Sequence, residues 1–164
     1  MEALLSLKKV ELKDRDNYKR YLLLADEDPA MVDRYLYTGE LFAIRKQNDV
    51  IGVILVTFPS NSTIEIKNIA LEPQERGLGY GKKAIQLVCD QFYLRNFKTI
   101  RVGTANSSIG NLAFYQKIDF RITEIRKDFF LQYEHPIIEN GIRALDMIMM
   151  EKTIKETGKI SSQK

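Results

Sequence analysis

"EPQERGLGYGKKAIQL", residues 72–87, sets three glycines at alternate positions, Gly77, Gly79 and Gly81, among basic side chains and runs directly into an apolar-periodic stretch. Glycine tolerates positive φ and lets backbone approach a ligand closely, and a helix N-terminus adds unpaired N–H groups and the positive end of a dipole. The combination suits an anion such as a phosphate. Two familiar phosphate loops do not fit. A P-loop needs a glycine and a hydroxyl where this chain has Arg76 and Lys83. A dinucleotide fingerprint needs its third glycine one position later and a carboxylate on the strand near residue 100, which has none. A glycine-rich turn closing a strand stays open on this stretch alone.

The surroundings give the turn its context. Upstream, residues 3–12 read as a strand, and 16–25 and 29–37 as two short helices, the second with Asp28 as N-cap and Pro29 at its first position; Gly39 stops it. Residues 41–45 and 50–58 are apolar runs joined by a turn at 46–49, and Pro59-Ser60-Asn61-Ser62 leads into a further strand over 63–71. Downstream, apolar residues at 84, 85, 88 and 92 predict a helix over 81–96, followed by a strand at 98–104, a helix at 108–117 and strands at 120–126 and 143–152. The strand, helix, strand unit around the glycines places its two strands parallel. The expected class is α/β with a mixed sheet.

Length and composition fit one domain: 164 residues, 45% apolar and 29% charged. Cys89 is the one cysteine, so no disulfide forms within the chain; it is expected in the core, and the cytoplasm is the natural compartment. No run nears the ~20 apolar residues of a membrane span. The net charge of +3 comes from 25 basic and 22 acidic residues mixed along the chain, which gives no basic stripe for nucleic acid. Only the stretch from Lys152 to Lys164 is locally basic, and 153–164 is expected to be a frayed tail.

"STIEIKNIAL", residues 62–71, carries a second signal. Ile64 and Ile66 keep one phase of alternation and Ile69 and Leu71 the other, with Lys67-Asn68 between. A slip of one residue marks a β-bulge, although a central strand buried on both faces need not alternate.

Arg76-Gly77-Leu78-Gly79-Tyr80-Gly81 resembles the Arg/Gln-x-x-Gly-x-Gly/Ala pyrophosphate loop of the GNAT acetyltransferase superfamily, and residues 71–90 resemble its motif A as a whole. "GTANSSIGNLAFYQKIDFR", residues 103–121, resembles motif B, in which a helix ends in tyrosine and leads to a strand. One departure is Asp119-Phe120, where members commonly have Gly-Phe; Asp is the poorer left-handed helix stop. The resemblance spans Phe42 to Met150. It implies a mostly antiparallel mixed sheet flanked by helices, with a splayed central parallel strand pair.

It also implies a site. Acetyl-CoA is the expected cosubstrate, with no metal. The backbone of Ile69 and Leu71 would pair with its pantetheine arm, the loop Arg76, Gly77, Leu78, Gly79, Tyr80, Gly81 and Lys82 would hold the pyrophosphate, and Asn106 would contact the cofactor unless it only caps the following helix. Transfer to an amine needs a neutral amine, a stabilised carbonyl oxygen and a proton for the departing thiolate. The N–H of Ile69 would serve the oxygen. Tyr115 stands at the family's general-acid position, against a reading as core packing. Glu65 is the candidate base, against a reading as an exposed strand charge.

His135, the one histidine, is either an alternative base or a surface group. The aromatic run Phe129, Phe130, Tyr133 is expected at the acceptor pocket or a subunit contact, which leaves a homodimer open. Asp26, Glu27, Asp28 and Asp33 would attract a cationic amine or are simply solvated. Cys89, mid-helix, offers no nucleophile for a covalent route. The expected function is therefore acetyl transfer to a primary amine, small-molecule or peptide, by direct attack, with no nucleic-acid or membrane partner. A catalytically silent acyl-CoA-binding module of the same fold is the alternative.

Overall fold

Alternating apolar residues build the strands, and turn-forming residues set their ends, in the computed structural model, which describes residues 4–156. Position 3, where the first strand was expected to begin, and positions 157–164 of the expected frayed tail lie outside the described residues; the start of that tail is ordered instead, Thr153 ending a strand and the buried Ile154 donating its amide to the Lys98 carbonyl at 2.8 Å. The sheet is mixed and mostly antiparallel with one parallel pair. The chain divides into two compact units, residues 1–99 with 153–164, and residues 100–152.

The first unit opens with β1 (Leu5–Val10), then a 3-10 stretch (Leu12–Tyr18) before α1 (Lys19–Ala25) and α2 (Pro29–Tyr35). Asp14, Asp16 and Asn17 are weak helix formers, and regular α-helix starts at Lys19 and not at Asp16. Asp28 caps α2 as expected, accepting from the amides of Ala30 and Met31. At the far end the buried Arg15 guanidinium donates to the carbonyls of Leu36, Thr38 and Gly39 at 3.0, 2.6 and 2.7 Å. These are acceptors that a helix end leaves unsatisfied.

Strands β2 (Glu40–Lys46), β3 (Asp49–Thr57) and β4 (Thr63–Leu71) follow as an antiparallel meander, with β1 paired to β2. One face of these strands, carrying Leu41, Ala43, Val53, Leu55 and Ala70, packs with Tyr21, Leu22, Val32, Tyr35 and Leu36 in a single core cluster. Phe42 points the other way and meets Phe92 of α3 (Tyr80–Tyr93) edge-on, ring centroids 6.2 Å apart. Helix α3 stops short of the expected Asn96 because that residue takes the left-handed conformation, φ 70°. Cys89 lies buried on its inner face, as expected.

The second unit holds β5 (Thr99–Ala105), α4 (Ile109–Lys117), β6 (Arg121–Arg126), a 3-10 turn (Phe129–Gln132), the hairpin β7 (Ile138–Glu139) and β8 (Ile142–Arg143), and β9 (Met147–Thr153). The single strand expected over 143–152 is therefore two. The break falls where the amides of Leu145 and Asp146 turn to the Asn106 side-chain oxygen, at 2.8 and 3.0 Å, instead of to a neighbouring strand. Asp119 takes the left-handed conformation that glycine usually supplies, φ 78°, and the Phe120 amide closes the helix end on the Tyr115 carbonyl.

Candidate active site

In the first unit, β4 carries the bulge. Leu55 faces Asn68 while Val56 faces Ile66, so Lys67 has no opposite number on β3. Directly opposed residues share a face. Ile66 and Ile69 consequently lie on the Phe42 side, and Asn68 and Ala70 on the side of Leu55 and Val53. The bulge reading of the sequence is the one that holds.

The backbone direction beyond the bulge follows from a single bond. The Glu72 amide donates to the Ile51 carbonyl at 2.8 Å. Hydrogen-bonded and non-bonded pairs alternate along an antiparallel ladder. Ala70 and Glu72 thus turn their polar groups to β3, and those of Ile69 and Leu71 point away from it. The Arg76 Nε reaches back to the Leu71 carbonyl at 3.0 Å, fixing the start of the glycine loop to the strand end.

The loop itself has two left-handed glycines, Gly77 (φ 74°) and Gly79 (φ 86°); a Cβ built on either meets nothing within 4 Å. Gly79 is the N-cap of α3, and no side chain caps that helix. Gly81 sits inside the first turn of α3 and is not one of the left-handed glycines. Two carboxylates in this stretch are balanced by cations that no motif in the sequence marks. Lys46 holds both oxygens of Glu75, at 2.7 and 2.8 Å, and lies 5.5 Å from the Tyr80 ring centre; Arg20 pairs with Glu72 at 3.2 Å. Nothing in the local sequence points to Lys46, which is 29 residues from Glu75. With those acids paired, Arg76 and Lys82 leave the loop a positive environment. Open space before left-handed glycines, an uncapped helix start and surrounding cations fit a pyrophosphate.

Glu65 is half-buried on β4 opposite Thr57, two residues before the bulge. Three of the acidic residues near α1 and α2 have structural work: Asp28 caps, Asp33 pairs with Lys19, and Asp26 accepts from the Tyr35 hydroxyl at 3.0 Å. A groove of about 550 Å³ between β1, the 3-10 stretch and α1 is lined by Lys8, Val10, Tyr18 and Tyr21 among others, and none of the residues selected from the sequence belongs to it.

In the second unit Tyr115 is 5% exposed, with its ring 5.1 Å from that of Phe114 and 5.4 Å from that of Phe120. Burial pushes its phenol well above the ordinary tyrosine range, so it stays protonated at neutral pH. Asn106 does not cap α4, whose N-cap is Ser108; besides its two amide partners it donates to the Arg143 carbonyl at 3.2 Å. Glu139, which belongs to no motif in the sequence, takes the hydroxyls of Ser107 and Ser108 at 3.1 and 2.9 Å and fastens the β7–β8 hairpin to the start of α4. His135 is a surface group, its side chain 86% exposed. The Phe129 ring meets that of Phe130 edge-on at 5.1 Å, and the Phe130 and Tyr133 rings lie tilted to one another at 5.4 Å.

Comparison with known proteins gives one consistent result. Residues 6–120 match the family described as the acetyltransferase (GNAT) family. An uncharacterized N-acetyltransferase, YvbK, of Bacillus subtilis (strain 168) is 37% identical over 145 residues, 87% of this chain and 94% of that protein. A GNAT family acetyltransferase from Elizabethkingia anophelis, solved with acetyl-CoA bound, superposes with a TM-score of 0.83 at 37% identity, covering 91% of this chain and 97% of the other. A Bacillus subtilis acetyltransferase in complex with CoA gives 0.82 at 35% identity, covering 93% and 100%.

Proposed function

The chain belongs to the GNAT family of acetyltransferases, and from that premise we propose that it moves the acetyl group of acetyl-CoA to a primary amine by direct attack, as a single cytoplasmic acetyltransferase domain. The observation that carries this reading is the bulge at Lys67, which turns the backbone of Ile69 and Leu71 away from β3 immediately before the left-handed glycine loop.

Acetyl-CoA, as cosubstrate, supplies an activated thioester. Ile69 and Leu71 offer backbone groups to the pantetheine arm in the manner of an added strand. Arg76, Gly77, Leu78, Gly79, Tyr80, Gly81 and Lys82 offer amides and cations to the pyrophosphate. The Ile69 N–H supports the carbonyl oxygen as negative charge builds on it. Glu65 draws the proton from the attacking amine, directly or through water. Tyr115 donates a hydrogen bond to the sulfur. Its phenol is the general acid that supplies a proton to the departing thiolate. Asn106 has a second Nδ2 hydrogen to offer the cofactor, while its observed bonds shape the segment after β8.

Thiol release from acetyl-CoA across a panel of small amines, polyamines and peptides tests the reading. Turnover with one chemical class is expected. Tight binding of acetyl-CoA with no turnover on any amine would leave the silent binding module in its place.

A further inference from the structure

We propose that Asn68 is a positioning residue for acetyl transfer, pinning the strand past the bulge to α1 and α2 so that the Ile69 backbone keeps the direction the reaction uses. The inference rests on the role given above to the Ile69 N–H.

The residue is out of place energetically. Asn68 is 6% exposed and stands on the face shared by Leu41, Leu55 and Ala70, where leucine has the same branched outline and no polar groups to desolvate. Its side-chain oxygen is buried without a hydrogen-bond partner. Such a group costs stability, so the amide is not there to stabilise the core.

What the amide does is hold position. Its Nδ2 donates to the Leu22 carbonyl at 3.0 Å and to the Tyr35 hydroxyl at 2.9 Å. The carbonyl can only accept, which fixes which end of the amide faces it. Tyr35 passes the connection to Asp26 at 3.0 Å, and Asp26 returns through its own amide to the same Leu22 carbonyl, also at 3.0 Å. The bulged residue is tied to the same tyrosine, Lys67 Nζ lying 5.5 Å from its ring centre. Residues 67 and 68 are thus both fastened at the one point in β4 where pairing is irregular.

The need for a pin follows from strand geometry. A bulge leaves one residue of its strand unpaired, and a slip of one residue across it reverses which backbone groups face the neighbouring strand. Ile69 would then turn its N–H into β3 and withdraw it from the thioester.

The test uses the full chain with acetyl-CoA and an amine selected by the panel. In Asn68→Leu, kcat should fall about 10- to 100-fold, the range expected when a reacting geometry is displaced by a fraction of an ångström to an ångström. CoA affinity by calorimetry should fall several-fold less than kcat, since the glycine loop is untouched and only the Ile69 pairing with the pantetheine arm is lost, and the thermal midpoint should move little. Backbone hydrogen exchange over 66–71 should accelerate. Tyr35→Phe, which removes one of the two partners, should show the same pattern to a smaller degree, and it carries the test if Asn68→Leu does not fold.

Wild-type kcat in the leucine variant overturns the proposal. So does a parallel loss of kcat, CoA affinity and thermal midpoint, which marks a purely structural residue. If the wild-type protein acetylates nothing, it is the transfer reading that fails, and exchange over 66–71 still decides for or against the pin.

Discussion

A Cβ added to Gly52 would stand 2.1 Å from the carbonyl oxygen of Ala70, closer than any real contact allows. Gly52 lies opposite Leu71, one residue before the segment that leads into the glycine loop. Gly52→Ala should force β4 away from β3, lower stability by about 1–3 kcal/mol and weaken CoA binding with it. Urea denaturation and calorimetry read the two effects, and an alanine variant of unchanged stability would show that the strands absorb the methyl.

The glycines of the loop separate into two kinds, and alanine distinguishes them. Gly79→Ala places a side chain at φ 86°, at a cost of roughly 1–2 kcal/mol, and should lose both stability and CoA affinity. Gly81→Ala lies within helix α3, where alanine is favoured by about 0.5–1 kcal/mol, so stability should hold or rise while CoA affinity falls. Unchanged affinity in the second variant would remove Gly81 from the phosphate site.

Tyr115→Phe keeps the ring contacts with Phe114 and Phe120 and deletes only the hydroxyl. At saturating acetyl-CoA the rate should fall toward the lower end of the 10²- to 10⁴-fold range typical of general acids. A variant as fast as wild type would return the residue to core packing.

The same tyrosine sets an alkaline dependence. Because burial raises its phenol in the folded protein, its contribution is complete below the unfolded value of about 10 and is lost as pH rises beyond it. Wild-type stability should therefore fall more steeply at high pH than that of Tyr115→Phe. Tyr21 is raised in both proteins, so denaturation curves compared across pH isolate Tyr115.

Acid dependence has a counterpart in Glu40, whose carboxyl the Arg95 guanidinium holds below the usual range through two 2.9 Å hydrogen bonds, against the opposing effect of burial. Its contribution is present above the unfolded carboxylate value of about 4.3 and disappears as pH falls through the lower folded value. Arg95 is partly exposed, so Glu40→Gln should cost only about 1 kcal/mol at neutral pH and flatten the acid limb.

Features set by a residue's near neighbours along the chain are legible in the amino-acid sequence alone. The Asp28 cap, the slip at Lys67-Asn68 and the glycine turn into α3 all depend on residues within a few positions of one another. Asp119 shows how far local reasoning reaches: the position demands a left-handed stop, and the chain supplies it without glycine. Lys46 against Glu75, Arg15 under the end of α2 and Glu139 on Ser107 and Ser108 are not legible in this way, since each joins side chains or backbone more than twenty residues apart. Asn68 is intermediate. Its place in the bulge is legible, but its partners Leu22 and Tyr35 come from helices whose packing no local pattern records.

The position of Cys89 turns the protein into its own reporter. It is the chain's one thiol and is 2% exposed on the inner side of α3, so an alkylating reagent reaches it only when that helix lifts from the sheet. Labelling kinetics under native conditions therefore measure the opening of the element that carries the glycine loop at its head. If CoA grips that loop, the label should slow in proportion to occupancy, giving a binding signal that needs no knowledge of the amine.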